Sequence, residues 1–539
     1  MRIRKQTTGK LDRRSFLRRS VLVASGAAAS QLIRLPTVAN SPTPQSPIAT
    51  TRFGKVRGYV DDGINVFKGI RYGADTARSR FLPPVPPEAW SDVREALSYG
   101  PAAPQSSRSN EKTNEDCLFL NVWTPALRDG RKRPVMFYIH GGAYNNGSGS
   151  SPLYDGVRLC RRGDVVVVSI NHRLNAFGYL YLAPFRAEFA DSGNVGQLDL
   201  ILALAWVRDN IAEFGGDPGT VMVFGQSGGG AKIATLMATP LAKGLFHCAA
   251  TMSGQQVTAS GPLNATLRTR AVLDALKLSP ERIADIRTLP AEKLLEAVNT
   301  RDPILPFGSI SFAPVLDERT LKRHPFYPDA PEQSAGIPMI IGNTHDETRA
   351  FLGGDESNFK LTWEQLPEKL APQMRVDIQP EVVVAEYRRL YPKYSPSEVF
   401  FAATTAGRSW RGAVIEAEER AKSGSPAHAY QLDWVSPREG GKFGAPHASD
   451  IQLVFDNIKK PGATAIGPEA QRMADQMSET FIAFARTGNP NNKQIPRWER
   501  YSLPRRQTMV FNVPSRLEND PRGAERRLFA KVPYVQPGT

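Results

Sequence analysis

The stretch Val221-Met222-Val223-Phe224-Gly225-Gln226-Ser227-Gly228-Gly229-Gly230-Ala231-Lys232-Ile233-Ala234-Thr235-Leu236-Met237-Ala238 sets one serine between glycines, straight after an apolar run. Val221 to Phe224 read as a short buried strand. From Ala231 onward, Ile233, Leu236 and Met237 recur at helical spacing and predict a packed helix. A glycine-rich turn from strand to helix has two familiar uses, cradling a phosphate or presenting a nucleophile. The phosphate loop needs G-x-x-x-x-G-K-[ST], whereas Lys232 is followed by Ile233. The dinucleotide pattern G-x-G-x-x-G is also missing from this stretch. G-x-S-x-G is present, so Ser227 is the candidate nucleophile.

The rest of the chain limits where such a nucleophile works. With 539 residues, no linker-like stretch in its middle and no internal repeat, the chain is expected to form one large domain over residues 40–539. The net charge of +15 suggests a nucleic-acid partner. However, residues 1–39 hold nine of the Lys and Arg and one Asp, leaving 59 cations against 52 anions, or +7, for the remainder. That is a mildly basic surface without an aromatic-interleaved basic stripe, and it argues against nucleic acid. Arg13-Arg14-Ser15-Phe16-Leu17 is a twin-arginine pattern, preceded by Asp12 and followed by a small-residue apolar stretch, Val21 to Ile33. Thr37-Val38-Ala39 offers a cleavage site. Residues 1–39 are therefore expected to be a signal peptide, and the mature protein a soluble periplasmic or secreted one with no stable membrane anchor. Cys117, Cys160 and Cys248 are too few for a disulfide framework and read as buried thiols. No paired Cys or His stands at metal-ligand spacing.

A serine hydroxyl needs a base to take its proton. In α/β-hydrolases, where G-x-S-x-G forms the nucleophile elbow, the partners follow in the order Ser, Asp or Glu, His. That order removes His140 and His172, and His247 follows too closely to leave room for an acid and its strand. His428 lies within an alternating strand-like run, Ala427 to Leu432, where a structural role is the better account. His447, in the loop Gly444-Ala445-Pro446-His447-Ala448-Ser449-Asp450, is the expected base. The acid should follow the apolar run Ile337 to Gly342, where Asp346 and Glu347 both qualify and spacing does not choose between them. For the oxyanion, the run Arg133 to Ile139 leads into His140-Gly141-Gly142-Ala143-Tyr144. Its glycines let backbone N–H groups face a ligand, and Gly228, next to the nucleophile, supplies another donor.

Together these pieces resemble the type-B carboxylesterases, the α/β-hydrolase family that includes para-nitrobenzyl esterases and cholinesterases. The resemblance runs from Gly54-Lys55-Val56-Arg57-Gly58 to about Phe511. Its most specific match is Glu115-Asp116-Cys117-Leu118-Phe119-Leu120-Asn121-Val122-Trp123-Thr124-Pro125. Others include Pro152-Leu153-Tyr154-Asp155-Gly156, Phe214-Gly215-Gly216-Asp217-Pro218 and Phe484-Ala485-Arg486-Thr487-Gly488-Asn489-Pro490. The resemblance implies an α/β fold with a large, mostly parallel central sheet, helices on both faces, and long loop and helical insertions. It implies Ser227, Glu347 and His447 as catalytic triad, with Asp346 structural, and Gly142, Ala143 and Gly228 as oxyanion donors. It also implies ion pairs Arg80–Glu115 and Arg173–Asp199.

The chain departs from the family pattern at several places. Ala143 replaces the third glycine of His-Gly-Gly-Gly, and Gln226-Ser227-Gly228 stands where Glu-Ser-Ala is usual. Loss of that glutamate weakens the case for choline-like cationic substrates. Ala103 occupies the place of the usual partner of Cys117, and Leu200 replaces a common glutamine with no reading from sequence. The expected function is cofactor- and metal-free serine hydrolysis of small-molecule carboxylic esters, with a monomer as the default state. A lipase for longer acyl chains is the alternative, since Pro303 to Phe312 carries Ile304, Leu305, Phe307, Ile310 and Phe312 as a candidate lid or acyl-pocket wall. A non-catalytic binding member of the family is the remaining alternative, opposed by the intact Ser227, Glu347 and His447.

Overall fold

The computed structural model describes residues 46–106, 111–305, 308–374, 376–536 and 538–539. The expected signal peptide and Phe307 lie outside these residues. Residues 46–539 form one compact unit.

Eleven strands make the main sheet: β1 (Tyr59–Asp61), β2 (Ile64–Arg71), β3 (Phe119–Thr124), β4 (Arg133–Ile139), β5 (Val166–Ile170), β6 (Gly216–Gln226), β7 (Cys248–Met252), β8 (Met339–Thr344), β9 (Ala427–Leu432), β10 (Gln507–Phe511) and β11 (Arg516–Asn519). Their spatial order is β11-β10-β9-β8-β7-β6-β4-β5-β3-β2-β1. Pairing is parallel from β10 through to β5, and antiparallel at both margins. Ile48–Thr51, Gly54–Arg57 and Val93–Glu95 form a separate three-stranded sheet.

The central strands read as unbroken apolar runs because both of their faces are covered. Val135, Phe137 and Ile139 of β4 join one core with Leu200, Leu204, Ile233 and Leu236. Met136 and Tyr138, pointing the other way in the pleat, join a second core with Met473, Met477 and Phe481. Helices α1 (Val195–Asn210) and α2 (Gly228–Ala238) cover the first face. Helices α3 (Ser449–Val454) and α4 (Ala470–Thr487) cover the second. Helix α4 is amphipathic, with Met473, Met477, Phe481 and Phe484 along one buried stripe, and ends at Gly488 with φ 70°, the usual left-handed stop. Helix α2 is buried along its whole length. No described helix is long and apolar enough to cross a membrane.

Insertions carry cores of their own. Phe312, Ile310, Leu273 and Leu294 pack together in the chain between β7 and β8. Tyr387, Phe400 and Phe401 do so between β8 and β9. Leu200 is a fully buried core residue, which accounts for its apolar character. Arg173 Nη2 meets Asp199 Oδ1 at 2.7 Å, and Arg80 Nε meets Glu115 Oε2 at 2.8 Å, so both implied ion pairs are present. Cys117, Cys160 and Cys248 are buried free thiols.

Candidate active site

In a parallel sheet, loops leaving the carboxyl ends of neighbouring strands face one crevice. β4 runs into His140–Tyr144, β6 into Ser227, β8 into Glu347, and the chain after β9 into His447.

Ser227 sits at φ 56° and ψ −126°, a positive-φ conformation rare for a residue with a side chain. Its N–H donates to the Met252 carbonyl at 2.8 Å, and its carbonyl accepts from Ala231 N–H at 3.1 Å. Strand β7 and helix α2 thus hold the strained turn in place. Glycine at position 229 is obligatory, since a Cβ there would lie 2.0 Å from the Ile139 carbonyl. The elbow is therefore pressed directly onto the end of β4.

Glu347 is fully buried. Its Oε1 accepts from Thr344 N–H at 2.9 Å and from Asn343 Nδ2 at 3.1 Å, while Oε2 faces His447 Nδ1. Burial alone would raise this carboxyl, but His447 and the hydrogen bonds outweigh it and hold the group below its ordinary value. Asp346 turns away from His447. It accepts from Ala445 N–H at 3.0 Å and donates its own N–H to the Ala445 carbonyl at 2.9 Å. That clasp ties the turn after β8 to the loop carrying His447.

The carboxylate at Nδ1 fixes the proton there, leaving the His447 Nε2 lone pair toward the cleft. In this structure Nε2 is met by the Gln226 side-chain amide, Nε2 to Nε2 3.1 Å, which donates to it. The Phe351 ring lies 4.7 Å from the imidazole.

Across the cleft, Gly142 has φ 87° and Ala143 φ 50°. The Gly142 carbonyl accepts from the N–H groups of Asn145 and Asn146, each at 3.1 Å, closing a tight turn. Behind this turn Lys232, fully buried on α2, places Nζ 2.6 Å from the Ala143 carbonyl. Burial brings its pKa down to about 7. His140 and His172 stack 4.7 Å apart beneath the loop. Burial first, and then the charge of Lys232, keep both rings neutral, with His140 pulled down to about 3.

Ser227, His447, Gly142, Ala143 and Gly228 all line one cleft of about 690 Å³, with Glu347 behind His447. The wall is rich in amides, including Gln255 and Gln256, and Phe312 closes part of it. Among the described lining residues Arg408 alone carries a fixed charge. The other histidines lie elsewhere. His247 Nδ1 accepts from Val221 N–H, and His428 sits edge-on to Trp498 at 5.5 Å. Of the candidate lid residues, Ile310 and Phe312 are buried in core, and Phe312 also reaches the cleft. The sequence reading missed the Lys232 contact and the Gln226–His447 hydrogen bond. The one available signal was a lysine in an otherwise apolar helix.

A serine on a strained elbow, with a buried carboxylate–imidazole pair and a glycine turn at the carboxyl edge of this sheet, defines a serine hydrolase of the α/β-hydrolase fold. The chain belongs to the carboxylesterase family, whose profile matches residues 45–528. It is a carboxylic ester hydrolase. It is 35% identical over 496 residues to the para-nitrobenzyl esterase of Bacillus subtilis, covering 89% of this chain and 98% of that one. It is 33% identical to the phenmedipham hydrolase of Pseudarthrobacter oxydans, covering 84% of this chain and 92% of that one. A crystal structure of a Geobacillus stearothermophilus carboxylesterase superposes with TM-score 0.79 at 38% identity, covering 89% of this chain and 99% of that one.

Proposed function

We propose that Ser227, His447 and Glu347 form a catalytic triad that cleaves small-molecule carboxylic esters through an acyl-enzyme. His447 Nε2 takes the Ser227 hydroxyl proton as Oγ attacks the ester carbonyl, and Glu347 stabilises the resulting imidazolium. The N–H groups of Gly142, Ala143 and Gly228 receive the oxyanion. Collapse of the tetrahedral intermediate breaks the bond to the alcohol, which leaves with the proton from His447. Water, deprotonated by His447, then attacks the acyl-enzyme, and Ser227 departs with the proton restored. The observation that carries this reading is the His447 Nδ1–Glu347 Oε2 hydrogen bond, which aims Nε2 into the cleft that Ser227 lines.

The test is a series of p-nitrophenyl esters of rising acyl length, with a pre-steady-state burst as readout. A burst stoichiometric with enzyme and absent in Ser227→Ala is the expected result. No turnover by the wild type on any ester would sink the triad reading. An optimum at long chains, with a rate jump above the solubility limit, would instead favour a lipase.

We also propose that the protein is exported in its folded state by the twin-arginine route to the periplasm or beyond. The support is Arg13-Arg14 with the apolar stretch and the Thr37-Val38-Ala39 site behind it. Replacing both arginines by lysine should leave active protein in the cytoplasm; unchanged export would refute this.

A further inference from the structure

We infer that Lys232 is a positioning residue for the oxyanion turn, its Nζ–H anchoring the Ala143 carbonyl so that the Gly142 and Ala143 N–H groups stay aimed at the reacting carbonyl. The inference rests on the triad reading above and deepens it.

Three observations converge on Ala143. First, its φ of 50° is unfavourable for an alanine, so something must hold the turn. Second, its carbonyl is drawn against α2. The ideal Cβ position of Gly228 lies only 2.1 Å from the Ala143 oxygen, so the carbonyl occupies space that a side chain at 228 would fill. Third, Lys232 Nζ meets that oxygen at 2.6 Å, a short hydrogen bond.

Nothing else accounts for the lysine. It is fully buried, and among the described residues no carboxylate forms an ion pair with it. The Tyr144 ring centroid lies 5.2 Å from Nζ, and burial keeps His140 and His172 neutral. An unpaired buried ammonium is costly to fold around. Here its proton donors meet the carbonyl whose orientation is set by ψ of Ala143, an oxyanion donor in the triad reading. Ala143 for glycine, Gly228 for alanine and Lys232 on α2 are then parts of one local arrangement. The carbonyl swings toward α2, the missing Cβ makes room, and the lysine holds it there.

The test compares Lys232→Met, which keeps the stem and removes every donor, with Lys232→Gln, which keeps a neutral donor. Four readouts are taken on the full-length protein: kcat and KM for p-nitrophenyl butyrate, affinity for an aryl trifluoromethyl ketone, and Tm. Ketone addition to Ser227 creates an oxyanion, so its affinity reads the donor geometry. A 1 Å misplacement costs about 100-fold. Lys232→Met is thus expected to lose about 10- to 100-fold in kcat with KM within about threefold. Ketone affinity should fall in parallel, and Tm should hold or rise as the buried charge is removed. Lys232→Gln should fall between the two. A Lys232→Met kcat within threefold of wild type overturns the inference. So does a kcat loss with unchanged ketone affinity, or loss of the titratable serine in both variants, which would make Lys232 a folding residue. A wild type without a burst condemns the triad reading itself, whereas a normal burst with an unaffected Lys232→Met condemns only this inference.

Discussion

Gly228→Ala adds a single methyl group and leaves the N–H of residue 228 in place, yet it should cripple the enzyme. The new Cβ would lie 2.1 Å from the Ala143 oxygen and 2.5 Å from its Cα, both backbone atoms. Ordinary contact begins at 3.4 Å, so the carbonyl must retreat by the difference between 3.4 and 2.1 Å, which is 1.3 Å. Lys232 resists that movement from α2, and the left-handed backbone of Ala143 leaves little freedom to absorb it. A displacement of that size in the proposed oxyanion turn should cost about 100-fold in kcat. KM should change little, because ground-state contacts in the wide cleft survive. The related family pattern carries alanine at this position together with glycine at 143, so Gly228→Ala combined with Ala143→Gly should recover part of the rate. Steady-state kinetics, normalised to serine sites titrated by burst, give the answer. Gly228→Ala with kcat within threefold of wild type would refute the steric argument.

Glu347→Gln should lower kcat about 10⁴-fold with KM nearly unchanged, because an amide nitrogen at Oε2 would disfavour the Nδ1–H tautomer. Tenfold or less would show that Glu347 does not orient the base. Glu416→Gln should stabilise the protein at alkaline pH. Burial raises the Glu416 carboxyl to about 8 from an ordinary 4.5, where it accepts from Gln256 N–H at 2.8 Å. The unfolded chain releases this proton near pH 4.5, so the native state loses stability as pH climbs to about 8 and no further. Unfolding curves of wild type and variant should therefore diverge between pH 5 and 8, the variant being the more stable. Parallel curves would contradict that assignment. Cationic esters should be poor substrates, since no carboxylate lines the described cleft wall and Gln226 is neutral. Butyrylcholine should show at least tenfold lower kcat/KM than its uncharged isostere 3,3-dimethylbutyl butyrate, and equal values would refute the electrostatic reading.

Much of this site is legible in the sequence because its parts sit next to strong local signals. β4, β6 and β8 announce themselves as apolar runs, and the candidate segments at Gly142, Ser227 and Glu347 each follow one closely. His447 is singled out as the candidate base by chain order and by the poor fit of its rivals. The acid is harder. Asp346 and Glu347 are neighbours of the same chemistry that spacing does not separate; the family resemblance favours Glu347, and the fold sends Asp346 to Ala445 N–H and Glu347 to His447. Contacts that depend on a backbone angle are not legible at all. Lys232 reads as a stray charge in an apolar helix until the φ of Ala143 and the carbonyl it turns inward are known. The cleft wall is similarly hidden, since Gln255, Phe312 and Arg408 come from distant segments whose packing no local pattern records.

The spacing of these contacts along the chain has a kinetic consequence. Glu347 and His447 are 100 positions apart, and Gln226 and His447 are 221 apart. Closing such loops is entropically expensive and slow. Helix α2 is local and can form early, whereas the strained turn at Ser227 needs β4 and β7 in place, and the imidazole arrives only once β9 has docked and the Asp346 clasp has closed. In refolding, hydrolysis should therefore return after helical content does. A nascent chain released short of His447 would carry a formed elbow and no working nucleophile.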